Sequence, residues 1–131
     1  MTSLLLDSVI VIDHFNSIAA ATRFLRDHRE EIAISVITRA EVLTGCDGEQ
    51  EVLVKAVLAE LRHFPVTAED ADLAARLRRQ NRWKLPDALQ AAIALNRHHR
   101  LVTRNSKDFD PLKHPFALIP YTIGADSDRE R

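Results

Sequence analysis

The chain has 131 residues, with 18 Lys and Arg against 19 Asp and Glu and a formal net charge of −1. A chain of that length folds as one domain, burying roughly two thirds of the surface it exposes when unfolded, and the balanced charge excludes a protein that holds polyanions by its overall charge; any such surface must be a local cluster. The lone Cys46 excludes an internal disulfide framework, reads as a packing residue and suits a reducing cytoplasm.

The chain opens with "MTSLLLDSVIVIDHF", which has no basic n-region and no small-residue cleavage site, so it is not read as a secretion signal. No segment holds the ~20 apolar residues of a membrane span. Leu4–Leu6 reads as the first strand, and Asp7 follows it at once. An ionised carboxylate in so apolar a run is costly unless something positive compensates it, so Asp7 needs a partner. Helical spacing then appears over Ile18–Arg29, a strand over Ala33–Ser35, and helices over Val36–Thr44 and Glu49–Phe64. A strand over Pro65–Thr67, a helix over Ala68–Asn81, a helix over Pro86–His99 and strands over Leu101–Thr103 and Ala117–Pro120 complete the alternation. Strand then helix, repeated, predicts an α/β fold with a parallel sheet covered on both faces. In such sheets ligands sit beyond the carboxyl ends of the strands.

Four acids fall near such ends: Asp7 after the first strand, Glu41 in "ISVITRAEVLTG", Asp87 in "WKLPDALQAAIAL" and Asp108 in "LVTRNSKDFD". Each alone has an ordinary explanation. Glu41 suits an ion pair with a neighbouring cation; Asp87, behind Pro86, suits the positive end of its helix dipole; Asp108 suits a turn with Asn105 and Ser106. Together they repel one another unless a cation neutralises them, and an all-oxygen set suits a hard divalent ion such as Mg²⁺ or Mn²⁺ better than zinc. That ion is the partner Asp7 needs. Glu41 shares a helical face with Ile37, Ala40 and Thr44, which predicts that it borders an apolar stripe.

The blocks "LLLDSVIVID", "ISVITRAEVLTG", "LPDALQAAIAL" and "LVTRNSKDF" resemble, in order and spacing, those of the PIN-domain ribonucleases, specifically the VapC toxins of type II toxin–antitoxin pairs, over about Leu4 to Tyr121. The resemblance implies a three-layer α/β/α sandwich with a central parallel sheet, a PIN domain over residues 1–123 and a disordered tail over 124–131. It implies an Mg²⁺-dependent endoribonuclease, with Mn²⁺ a possible substitute, that hydrolyses RNA phosphodiesters with metal-activated water and leaves 5′-phosphate and 3′-hydroxyl ends. Asp7, Glu41, Asp87 and Asp108 are then catalytic, with Asp7 and Asp87 holding the metal most directly and Ser8, Thr103 and Asn105 in support. Some members carry an acid where this chain has Asn105. Where the family has a small polar residue two places after the first acid, this chain has Val9, which removes one supporting hydrogen bond. The resemblance also implies a VapB-type antitoxin seated in a groove that the apolar faces of Ile18–Leu25 and Val52–Leu61 suit, a homodimer, contact with DNA only through the antitoxin, and a cytoplasmic location without a membrane.

RNA is a polyanion, and two basic clusters flank the acids: Arg76, Arg78, Arg79, Arg82 and Lys84 before Asp87, and Arg97, Arg100, Arg104 and Lys107 before Asp108. Of these, Arg82, Lys84, Arg104 and Lys107 are taken as RNA-binding, and Trp83 as either a base-stacking platform or a core residue. A receiver-type phosphoacceptor lacks its mid-chain Asp here, and a haloacid-dehalogenase-like phosphatase lacks its second Asp at Val9. The remaining alternative is a catalytically weak PIN domain that binds antitoxin or RNA.

Overall fold

The computed structural model describes residues 1–123; the expected tail at 124–131 lies outside the described residues. Five strands form one all-parallel sheet in the order β3-β2-β1-β4-β5. They are β1 (Leu4–Leu6), β2 (Ile32–Ser35), β3 (Arg62–Phe64), β4 (Arg100–Val102) and β5 (Ala117–Leu118). The helices are α1 (Ser8–Phe15), α2 (Ala19–Asp27), α3 (Val36–Thr44), α4 (Gly48–Leu58), α5 (Ala68–Asn81) and α6 (Leu85–Asn96). This is the α/β/α sandwich expected.

The central strands are mainly apolar because both faces are covered, with Ser35 at the end of β2 and Arg100 at the start of β4 the exceptions. Alternation along β1 and β2 sends Leu5 and Ala33 to one face, where they meet Ala74 of α5, Ala88, Ala91 and Ile93 of α6, and Trp83. It sends Leu4, Leu6, Ile32 and Ile34 to the other, against Ile10 and Val11 of α1, Val42 of α3 and Val54 and Leu58 of α4.

Two differences from the sequence reading have clear causes. The helix expected over Glu49–Phe64 stops at Leu58, and the strand expected over Pro65–Thr67 lies at Arg62–Phe64 instead, paired with Ala33–Ser35. Pro65 has no N–H to continue that ladder, and Thr67 is used to start α5: its hydroxyl accepts from Asp70 N while the Asp70 carboxylate accepts from Thr67 N. The second difference is α1. Its sequence SVIVIDHF is rich in β-branched residues, which favour strands, and the sequence reading assigns it no element. The chain turns helical because Asp7, in extended conformation, accepts from Ser8 N and caps it.

Asp70 does more than cap. It is fully buried and accepts from Nη1 and Nη2 of Arg97 at 2.9 and 3.1 Å and from Asn96 at 2.8 Å, tying the start of α5 to the end of α6. These donors hold its carboxyl down to about 2 against the opposing effect of burial. The Arg97 guanidinium also lies over the Phe64 ring of β3. No helix among the described residues is long and apolar enough to cross a membrane.

Candidate active site

The connection from β1 runs outward to β2 and β3, then returns to the other side of β1 for β4. The crevice at this reversal, beyond the carboxyl ends of the strands, is where an α/β sheet binds its ligand. In register, Leu6 lies beside Val102, so the next residues, Asp7 and Thr103, emerge side by side. Thr103, fully buried, donates its hydroxyl to Asp7 Oδ2 at 2.7 Å, and Ser8 donates its backbone N–H to Oδ1 at 2.8 Å. Ser8 thus acts through its amide. Burial still dominates, and the Asp7 carboxyl is pushed above the usual range despite these donors. Val9, at the position expected to be polar, packs against the apolar cluster under α1.

Asp87 lies in the first turn of α6, half-buried, its carboxyl raised to about 6. The causes are burial first, then the charges of Asp7, Asp108 and Glu41, with Lys84 opposing them. All four sequence-selected acids therefore share one electrostatic field. Asp108 is bound to Asn105 twice: Asn105 Nδ2 donates to its carboxylate at 2.9 Å, and its own N–H donates to Asn105 Oδ1 at 3.2 Å. Asn105 N in turn donates to Thr103 Oγ1, so a continuous chain runs Asp108–Asn105–Thr103–Asp7. Glu41 is exposed, and α3 buries Thr38 and Val42 rather than the Ile37, Ala40 and Thr44 face; Glu41 borders apolar side chains instead in a small cleft with Ile12, Phe15, Val42 and Val54.

Among the described residues no three His, Cys, Asp or Glu side chains are gathered tightly enough to enclose an ion as they stand. The donor set nevertheless fits a hard divalent cation: it is all oxygen, and Asp87 carries the strain of three like charges that such a cation would relieve. The pH dependence of metal-free stability follows. Asp87 has a folded value of about 6 against 3.8 unfolded, so its contribution is fully present below 3.8 and is lost as pH rises through 6. Chemical denaturation in EDTA is expected to show stability falling across that window, and Asp87→Asn is expected to flatten the slope.

The basic clusters are thinner than the sequence suggests. Arg104, expected to bind RNA, is committed to Asp13: Nε and Nη2 donate to its two oxygens at 2.6 and 3.0 Å, and the Tyr121 hydroxyl donates to it at 2.9 Å. Arg97 is held by Asp70, the Arg100 guanidinium donates to Ala117 O and Arg78 Nε to Trp83 O. Trp83 is buried against Phe109 and His114, so it is a core residue and not a base-stacking platform. Arg76, Arg79, Arg82, Lys84 and Lys107 are exposed.

The Asp13–Arg104–Tyr121 cluster escaped the sequence reading, as did a buried network of Ser35, Thr38 and Gln90. The available signal was the same in both cases: a polar residue isolated in an apolar run must be hydrogen-bonded if buried. Arg104→Ala leaves the buried Asp13 charge unpaired and is expected to cost about 2–3 kcal/mol. Adding Asp13→Asn should recover part of that loss in urea denaturation.

Comparison with known proteins agrees with this geometry. The PIN-domain family model matches residues 4–114. Ribonuclease VapC10 of Mycobacterium tuberculosis is 35% identical over 125 residues, covering 88% of this chain and 94% of the relative. A toxin–antitoxin complex from Klebsiella pneumoniae contains a chain of the same fold, with a TM-score of 0.86 at 34% identity over 92% of this chain and 100% of that one. VapBC2 from Rickettsia felis, bound to a DNA fragment from its promoter, matches in fold with a TM-score of 0.74 at 22% identity, over 92% of this chain and 98% of that one. An acidic crevice at the switch point of a β3-β2-β1-β4-β5 parallel sheet, together with these matches, identifies the chain as a member of the PIN-domain family, among its VapC ribonucleases.

Proposed function

We propose that this chain is the Mg²⁺-dependent endoribonuclease toxin of a VapB–VapC type II toxin–antitoxin pair, working in the cytoplasm, with Mn²⁺ able to replace Mg²⁺. The observation that carries the reading is the shared field of Asp7, Glu41, Asp87 and Asp108 at the switch point. Asp7 and Asp87 are the residues to hold the ion, with Glu41 and Asp108 flanking. A bound divalent ion supplies charge neutralisation, acidification of water and stabilisation of the departing oxygen. The chain's own groups do the rest. Thr103 and the Ser8 amide fix the rotamer of Asp7, Asn105 fixes Asp108, and the cap of α1 holds the strand exit still. Exposed Arg82, Lys84 and Lys107 supply phosphate contacts that offset repulsion between the acids and RNA.

The antitoxin reading also has support. An apolar cleft of about 520 Å³ lies between α1, α2 and α4, lined by Val11, Phe15, Leu25 and Leu61 with Arg26 and Arg29 among its walls. It suits an amphipathic segment carrying acidic residues. A second copy of the toxin and DNA held by the antitoxin complete the proposed assembly; the VapBC2 complex of Rickettsia felis is bound to a DNA fragment from its promoter. The test is incubation of the antitoxin-free chain with total cellular RNA in Mg²⁺, in Mn²⁺ and in EDTA. Cleavage in both metals and none in EDTA is expected; a folded chain that cuts nothing in either metal would be the antitoxin- or RNA-binding module instead.

A further inference from the structure

Gln90 is the one polar residue between Ala88 and Leu95 of α6, and it is 1% exposed. Its Oε1 accepts from the Ser35 hydroxyl and its Nε2 donates to Thr38 Oγ1, both at 2.6 Å. Thr38 passes the connection on by donating to the carbonyl of Leu6 at 2.9 Å. Ser35 itself caps α3, accepting from Ile37 N and Thr38 N.

Each partner stands next to a catalytic acid in the fold. Leu6 immediately precedes Asp7; Thr38 lies one turn before Glu41 on α3; Gln90 lies one turn after Asp87 on α6. A primary amide suits this place because it accepts with its oxygen and donates with its nitrogen while staying neutral near carboxylates. Among the described residues no buried side-chain polar atom is left unpartnered, so the network is fully satisfied.

We propose that Gln90, acting through Ser35 and Thr38, is the positioning residue that fixes the β1, α3 and α6 acids relative to one another. This rests on the proposed metal-dependent active site. Its role is to position the ligands, and it does not touch the RNA.

The test uses Gln90→Met, which keeps the volume and removes every hydrogen bond, and the pair Thr38→Val and Thr38→Ser. Mn²⁺ affinity is measured by calorimetry, and kcat and KM on an RNA substrate are measured separately. Loss of a group that orients metal ligands is worth roughly 10–100-fold in metal affinity or activity. Q90M and T38V are expected to fall in that range, in kcat rather than KM, while remaining folded by circular dichroism, and T38S is expected to restore both values. Should Q90M not fold, the T38V/T38S contrast decides on the same readouts. Wild-type Mn²⁺ affinity and kcat in folded Q90M or T38V would overturn the inference. A wild type that neither binds Mn²⁺ nor cleaves would instead overturn the active-site reading beneath it.

Discussion

Asp87→Asn is expected to abolish RNA cleavage, lowering kcat by about 10³-fold or more, beyond the roughly 10–100-fold that follows loss of a group behind a metal ligand. The same substitution is expected to raise the stability of the metal-free chain at pH 7. Both effects come from one fact. Asp87 is half-buried and faces the charges of Asp7, Asp108 and Glu41, which together raise its carboxyl to about 6. Ionised at neutral pH, it adds repulsion that a divalent cation relieves and that its absence leaves in place. Asn removes the repulsion and the ligand together, so activity and stability move in opposite directions, as expected of a strained functional site. Asp7→Asn should behave alike, since burial already drives the Asp7 carboxyl upward. Thermal melts in EDTA alongside a cleavage assay measure both halves.

Asp70→Ala is expected to do the reverse, destabilising the fold by about 3–5 kcal/mol without touching the chemistry. Asp70 is fully buried and holds Arg97 in a bidentate pair, Asn96 and the first turn of α5 at once. Its removal leaves the Arg97 cation partly buried and unpaired, and strips α5 of one side of its capping box. Against a typical domain stability of about 5–15 kcal/mol this is a large share, and Tm should fall by about 10–20 °C. The low folded value of about 2 sets the acid limit: the stabilisation is present above 3.8 and is lost as pH falls through 2. At temperatures where D70A remains folded, its kcat should match wild type, which separates the two acids by role.

The sequence made the layer architecture legible because periodicity reports burial, and the buried strands and Ala-rich α6 are nearly uniform in it. It was less informative where local chemistry overrides composition. Four β-branched residues from Val9 to Ile12 disguise α1, which starts at the cap on Asp7. The β3 strand, with Arg62 and His63, carries little apolar signal, and its pairing with β2 defines it. The acids were legible because four carboxylates at strand exits have no cheap explanation together. The cations were not, because Arg104 and Lys107 look alike in sequence, and only the fold shows that Arg104 is spent on Asp13.

The most direct test of the central claim is the chemistry of the cut ends. Hydrolysis by an external water in a carboxylate–metal site leaves a 5′-phosphate and a 3′-hydroxyl, whereas attack by the RNA's own 2′-hydroxyl leaves a 2′,3′-cyclic phosphate and a 5′-hydroxyl. Products made by the purified chain in Mg²⁺ should therefore be ligatable and 3′-extendable without enzymatic repair, and absent with D87N. Cyclic phosphate ends, or cleavage that persists in EDTA, would contradict the account.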